Sequence, residues 1–203
     1  MDDDAAPELA SIWDEAKGRI DQGDYEKAIE IYRYILVRYA DDNIANEHAN
    51  AYLGDIFLTI RSLELAEKHL KKAIGYAPKR PHYHYLLGFT YSIREQWAMA
   101  VKEFEVAIQL DPRNGEYERG LGWAIFNGGD KTDGIAHLYR AKELSPTNAN
   151  VLTDLATAML LLGNFDKARE YGEDAVQVDP EHSLAHKLLE KIDRIDRIRG
   201  KQS

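Results

Sequence analysis

The chain has 203 residues, is 44% hydrophobic and 30% charged, contains no cysteine and carries a formal net charge of −9. That composition describes a folded globular protein rather than a disordered one. The acidic balance argues against a phosphate-binding nucleic-acid surface. The lack of cysteine excludes disulfides, thiolate nucleophiles and cysteine-ligated metals.

The start, MDDDAAPELA, has neither the basic nor the apolar region of a secretory signal. Residues 1–8 therefore read as an acidic tail, and the cytoplasm is the expected location. A first helical pattern covers 9–42, with Gly23, Tyr25, Ala28 and Tyr32 in the stretch GDYEKAIEIY. Asn43 to Asn46 read as an insert. Beyond it the chain repeats every 34 residues: Pro78, Pro112, Pro146 and Pro180 keep that step. So do Leu53, Leu87, Leu121 and Leu155, and beside them Gly54, Gly88, Gly122 and Ala156. Ala66, Ala100, Gly134 and Ala168 form another column, and Ala73, Ala107, Ala141 and Ala175 one more. The repeats run 47–80, 81–114, 115–148 and 149–182.

Each repeat reads as two helices joined by a short turn, marked by REQWAMA, GGDKTDG and GNFDKA. Proline after Asp or Ser ends one helix and presets the next connection. Small residues where helices cross let the backbones approach. One helical pair cannot bury its apolar face alone, so neighbours stack. Residues 183–203 then supply a capping helix and a short tail. Leu184, Leu188, Ile192, Ile195 and Ile198 mark its inner side, with Glu190–Arg194 and Asp193–Arg197 at i,i+4 spacing on the other. The longest apolar run, AMLLLG, is too short to span a bilayer.

The third repeat has Leu87-Gly88-x2-Tyr91, then Ala100-x3-Phe104, then Ala107 and Pro112. This resembles the tetratricopeptide repeat (TPR) family, whose pattern is W-x2-L-G-x2-Y, A-x3-F and P. His84 stands where that family often has Trp. The resemblance covers almost the whole chain. It implies an all-α fold, a right-handed α-solenoid of about five TPR helical hairpins plus a C-terminal capping helix. It also implies protein–protein interaction on the concave surface.

The stretch RPHYHYLLGFTYS concentrates histidine and tyrosine. A helix turns about 100° per residue, so His82 and His84 lie about 200° apart and cannot chelate one ion together. His84 is in phase with Leu87, Gly88 and Tyr91, inside the repeat. His82 is in phase with Tyr85, Phe89 and Ser92, a stripe that resembles the groove-lining one of TPR proteins. Tyr83 is left for the seam between repeats. His182, His186 and Glu190 have workable ligand spacing, but no HExxH accompanies them, and a solvated helix face is the simpler reading. No metal or other cofactor is expected.

Aligning the groove columns collects Tyr85, Phe89, Trp123 and Phe126, with Tyr52 and Leu86 nearby and Asp55, His82 and Arg119 as polar edges. Aromatics around an arginine are typical of binding hot spots. These nine residues form the expected partner-binding set, for an extended peptide or an amphipathic helix. TPR proteins that clamp the C-terminal carboxylate of heat-shock chaperones use Lys, Asn and Arg on the same faces. Here the Phe89 column reads Lys17, Asp55, Phe89, Trp123 and Thr157, without asparagine, so such a clamp is not expected.

No G-x-S-x-G, Walker loop or strand-leading G-x-G-x-x-G is present, so no enzyme is expected. RGLGWAIFNGG is glycine-rich but in helical phase. Gly134 in the crossing column reads either as a hinge or as tight packing. The expectation is a non-catalytic adaptor that binds a protein or peptide partner, with no nucleic acid and no membrane insertion. The alternatives are a self-assembling TPR protein or a chaperone for a secretion or assembly subunit.

Overall fold

A computed structural model describes the backbone of residues 5–199 and the side chains of residues 8–198. The first four positions of the expected acidic tail and the last four of the expected C-terminal tail lie outside the described residues. Those described form eleven helices and no strand. The chain divides into two compact blocks, Met1–Gln96 and Trp97–Ser203. None of the helices is long and apolar enough to cross a membrane.

The first block contains α1 (Ala5–Asp21), α2 (Tyr25–Arg38), α3 (Asn43–Thr59), α4 (Leu63–Tyr76) and α5 (Pro81–Ile93). Two sequence expectations change here. Helix α1 begins at Ala5, so residues 5–8 are helical rather than tail. Asn43 to Asn46 are not an insert between helices but the first turn of α3, which reaches 17 residues. The cause is Asp42, whose carboxylate accepts from the Ile44 and Ala45 amides and caps the lengthened helix. Pro81 opens α5 at a position that has no amide partner to lose. Tyr32, Ile35, Leu53, Leu70, Leu87 and Tyr91 are fully buried and form the core of this block.

A left-handed residue follows the first helix of successive repeats. Gly23, Arg61, Glu95, Gly129 and Gly163 all have positive φ. At Arg61 the Ser62 amide donates to the Phe57 carbonyl and the Arg61 amide to Leu58, closing the helix end in the usual glycine geometry. Arginine meets a steric penalty there that glycine does not. Replacing Arg61 by Gly is expected to raise stability by about 0.5–1 kcal/mol. Urea unfolding checks this, and a lowered midpoint would contradict it.

The second block contains α6 (Trp97–Leu110), α7 (Gly115–Gly128), α8 (Lys131–Leu144), α9 (Ala149–Leu161), α10 (Phe165–Val178) and α11 (Ser183–Arg199). Asn114, Asp130, Asn148 and Asn164 cap four of these helices. Its core joins Phe126, Leu138, Val151, Leu155, Tyr171, Leu188 and Ile192. Gly122 and Gly134 settle the hinge question in favour of tight packing. A Cβ on Gly134 would lie 2.6 Å from the Phe126 amide nitrogen and 2.7 Å from the Gly122 carbonyl oxygen. Helices α7 and α8 touch backbone to backbone.

The cap packs with the middle of the expected stripe, Leu188, Ile192 and Ile195, but not with its two ends. Ala185, Leu188 and Ile192 are buried, while Leu184 and Ile198 are exposed. Leu189 fills the space over Gly172 of α10, which pulls the inward face towards the 185–189–192 side. Asp193 pairs with Arg169 of α10, and Arg197 donates to the Asp193 backbone carbonyl rather than to its carboxylate.

Buried polar side chains recur at one pair of positions, 19 residues apart. In α3 and α4, the His69 Nδ1–H donates to Asn50 Oδ1 over 2.9 Å. The Asn50 amide donates in turn to the Asn46 carbonyl, which leaves its oxygen as the acceptor. Burial and the charges of Lys72, Lys68 and Arg33 push the His69 imidazole down to about 4. It is therefore neutral in the fold and protonates more readily in the unfolded chain, near its ordinary 6.5. Its contribution is complete above that value and is lost as pH falls from 6.5 towards 4, by about 3 kcal/mol in total. Melting curves across that range should show the loss, and His69→Gln should flatten it. An equally steep acid limb in the variant would rule His69 out as its source.

Candidate partner-binding face

In the first block, α1, α3 and α5 turn one face each towards a common surface. His48, Ala51, Tyr52, Asp55, His82, Tyr83 and Leu86 line a pocket of about 250 Å³ there. A second hollow, of about 290 Å³, shares His48 and Tyr52 with it and adds Ala10, Trp13, Asp14 and Lys17. The two share a wall, so the surface is continuous across three helices.

Aromatic packing holds the walls in place. Tyr52 stacks on the buried Tyr32 at 5.1 Å between ring centroids, with 5° between the planes. Trp13 leans on both, at 5.4 Å from Tyr32 and 5.9 Å from Tyr52. Tyr83 sits at the seam between repeats, where its hydroxyl donates to Glu47 of α3 over 2.9 Å. Burial, then that hydrogen bond, push the Tyr83 phenol up to about 12. Arg80 also reaches Glu47, at 3.3 Å. The wall is thus a set of side chains already committed to one geometry.

From the pocket a row of rings runs along α5. His82 and Tyr85 lie 6.2 Å apart, and Tyr85 and Phe89 6.4 Å apart, each pair stacked. Phe89 is 42% exposed. His84 faces the other way: it is buried, and its Nε2–H donates to the Pro78 carbonyl over 3.0 Å. His186 makes the same contact to Pro180, three repeats on. Among the described residues, no group of three or more His, Asp and Glu is placed to hold a metal ion.

Asp55 stands at the open rim of the pocket. Although its edge is exposed, its apolar surroundings hold the carboxyl above its ordinary range, and His82 partly offsets this. Of the expected set, Tyr52, Asp55, His82 and Leu86 line the pocket, and Tyr85 and Phe89 extend from it. The expectation omitted His48, Ala51, Tyr83 and Trp13. His48 and Ala51 lie one repeat, 34 residues, before His82 and Tyr85, and Trp13 stands at the position of the first repeat that matches Tyr85.

Arg119, Trp123 and Phe126 belong to α7 of the second block. Arg119 is pinned: it donates to Asp154 over 2.8 Å and to Glu116 over 2.7 and 3.0 Å. Asn148 fixes Glu116 from the far side at 2.6 Å. Burial raises the Asp154 carboxyl, and Arg119 pulls it back. Trp123 is half-buried and stacks on Phe126 at 5.6 Å. Phe126 is 1% exposed and belongs to the core, so it offers a partner no surface. Leu58, two repeats before Phe126, and Leu160, one repeat after it, are buried at the same repeat position. That position faces the interior rather than the groove.

Paired antiparallel helices with small residues at their crossings define an α-solenoid repeat protein. Two tetratricopeptide repeat models match, one over residues 128–192 and the other over 14–84 and 94–149. The chain belongs to the tetratricopeptide repeat family. Anaphase-promoting complex subunit 3 of Schizosaccharomyces pombe is 26% identical over 159 residues, 78% of this chain and 24% of that protein. The chain spans a quarter or less of the curated relatives it matches. Among solved structures, the thermophilic TPR protein TTC0263 of Thermus thermophilus superposes with a TM-score of 0.74 at 16% identity. It covers 90% of this chain and 97% of its own. YrrB, described as a TPR protein with an unusual peptide-binding site, has a TM-score of 0.62 at 20% identity, covering 85% and 87%. These likenesses show the fold.

Proposed function

We propose that this chain is a non-catalytic adaptor that holds a segment of a partner protein on the α1–α3–α5 face. The observation that carries this reading is the 250 Å³ pocket continued by the stacked row His82–Tyr85–Phe89. An exposed aromatic row beside a preformed pocket is a liability in water unless something covers it. The described peptide-binding site of YrrB, on a similar fold, is consistent with such a use. Arg119 and Trp123 are proposed as contacts on the second block, and Phe126 drops out.

The test is a double variant, Tyr85→Ala with Phe89→Ala, used as bait beside the unaltered chain and Val37→Ala. Val37 is the most exposed large apolar residue and lies away from this face, on α2. The double variant should stay folded and lose a partner that the other two baits retain. Light scattering over a concentration series addresses self-assembly, which would show as mass rising with concentration.

A further inference from the structure

We propose that the α3/α5 pocket receives the cationic side chain of an arginine or lysine in the partner segment, with Asp55 accepting its hydrogen bonds. This rests on the partner-binding reading of the same face. Two other carboxylates of the same block, Glu47 and Glu67, already have partners. Glu47 holds Tyr83 and Arg80. Glu67 holds Lys71, Tyr91 and Arg94. Asp55 is the sole carboxylate lining the pocket, and neither lysine nor arginine lines it. Among the described residues, its carboxylate forms no hydrogen bond or ion pair.

The remaining walls suit a long side chain with a charged end. Tyr52 and Tyr83 present ring surface, and Ala51 and Leu86 present alkyl surface. An arginine or lysine buries its methylenes against such walls and keeps its head at the rim, where Asp55 stands. The carboxylate is partly desolvated, so an incoming cation gains more there than beside a carboxylate in bulk water. Charge points the same way at longer range, since the chain carries a net −9 and would draw a basic segment towards it. The volume admits one side chain, not a helix. The neighbouring partner residue would then be apolar and lie on Tyr85 and Phe89.

Panning a phage-displayed library of random peptides on the full chain tests this. Parallel selections use Asp55→Asn, Asp55→Lys, and the Tyr85→Ala, Phe89→Ala double variant. The expected result is a family of peptides with Arg or Lys at one fixed position beside an apolar residue. Synthetic versions should bind Asp55→Asn roughly tenfold more weakly, the loss expected for a charged hydrogen bond. Asp55→Lys should select acidic residues at that position instead. Peptides that need Tyr85 and Phe89 but show no cationic position, or that ignore Asp55→Asn, would overturn the cation assignment and leave the binding face standing. Enrichment of acidic peptides on the unaltered chain would overturn it as well. Failure to enrich any peptide above the double variant would overturn both readings.

Discussion

Gly134→Ala is expected to destabilise the second block by about 2 kcal/mol, even though alanine is the better helix former. Two effects oppose each other. Helix propensity favours alanine by about 1 kcal/mol. Against that, the new Cβ would meet the Phe126 amide nitrogen, the Gly122 carbonyl oxygen and the Phe126 Cβ at 2.6 to 2.7 Å. None of these is the free end of a flexible side chain, so α7 and α8 must move apart. Overpacking of that kind costs about 1–3 kcal/mol and more where main chain is involved. The closely matched crossing then wins over propensity. Gly18→Ala is the control: it lies inside α1, and a Cβ added there would meet no atom within 4 Å. It should gain stability, by up to about 1 kcal/mol. Urea unfolding of both variants gives the comparison. A midpoint for Gly134→Ala equal to or above that of the unaltered chain would show that α7 and α8 are not closely packed.

The second large effect lies at the pair Glu118 and His137. The Glu118 side chain is only 4% exposed, and its Oε2 lies 2.6 Å from His137 Nδ1. Arg140 approaches the other oxygen at 3.5 Å but is itself mostly in solvent. His137→Leu removes the near partner and leaves a buried carboxylate with weak compensation, which costs about 3 kcal/mol. The molecule contains its own control. One repeat later the same two positions hold Leu152 and Tyr171, both buried in the core. Glu118→Leu together with His137→Leu should therefore recover most of the loss, because two well-packed apolar side chains replace a hydrogen-bonded polar pair at little cost. Thermal or urea unfolding of the two single variants and the double variant measures the coupling. Additive losses would mean that Glu118 and His137 do not act as a pair.

The solenoid was legible because its period is a physical necessity. Each helical pair must bury one apolar face against the next, so Leu53, Leu87, Leu121 and Leu155 recur at one step and are all buried. What the step could not give was the edge of each face. Phe126 shows why. By phase it continues the groove stripe, but it lies one turn after Gly122, where Gly134 brings α8 onto α7. The close approach covers the ring, and a helical wheel of one helix does not contain the second. Arg119 differs in the same way, since Asp154 that holds it stands 35 residues on, in another helix. The pocket was more readable. Tyr52, Asp55, His82 and Leu86 sit on two helices one repeat apart, and a repeat's register carries that neighbour relation directly.

Arg61 was hidden for a different reason. Glycine marks the left-handed turn in three repeats, but Arg61 and Glu95 adopt the same backbone without the residue that signals it. The turn is imposed there by the helices on either side rather than by local preference.

On the proposed function, the α1–α3–α5 face is covered by a partner segment. Capture followed by titration of the purified partner measures it most directly, with the Tyr85→Ala, Phe89→Ala variant set against the unaltered chain at matched thermal stability. The expected result is a loss of affinity of at least about tenfold for the variant and none for Val37→Ala. Equal affinity for all three, with the variant still folded, would contradict it.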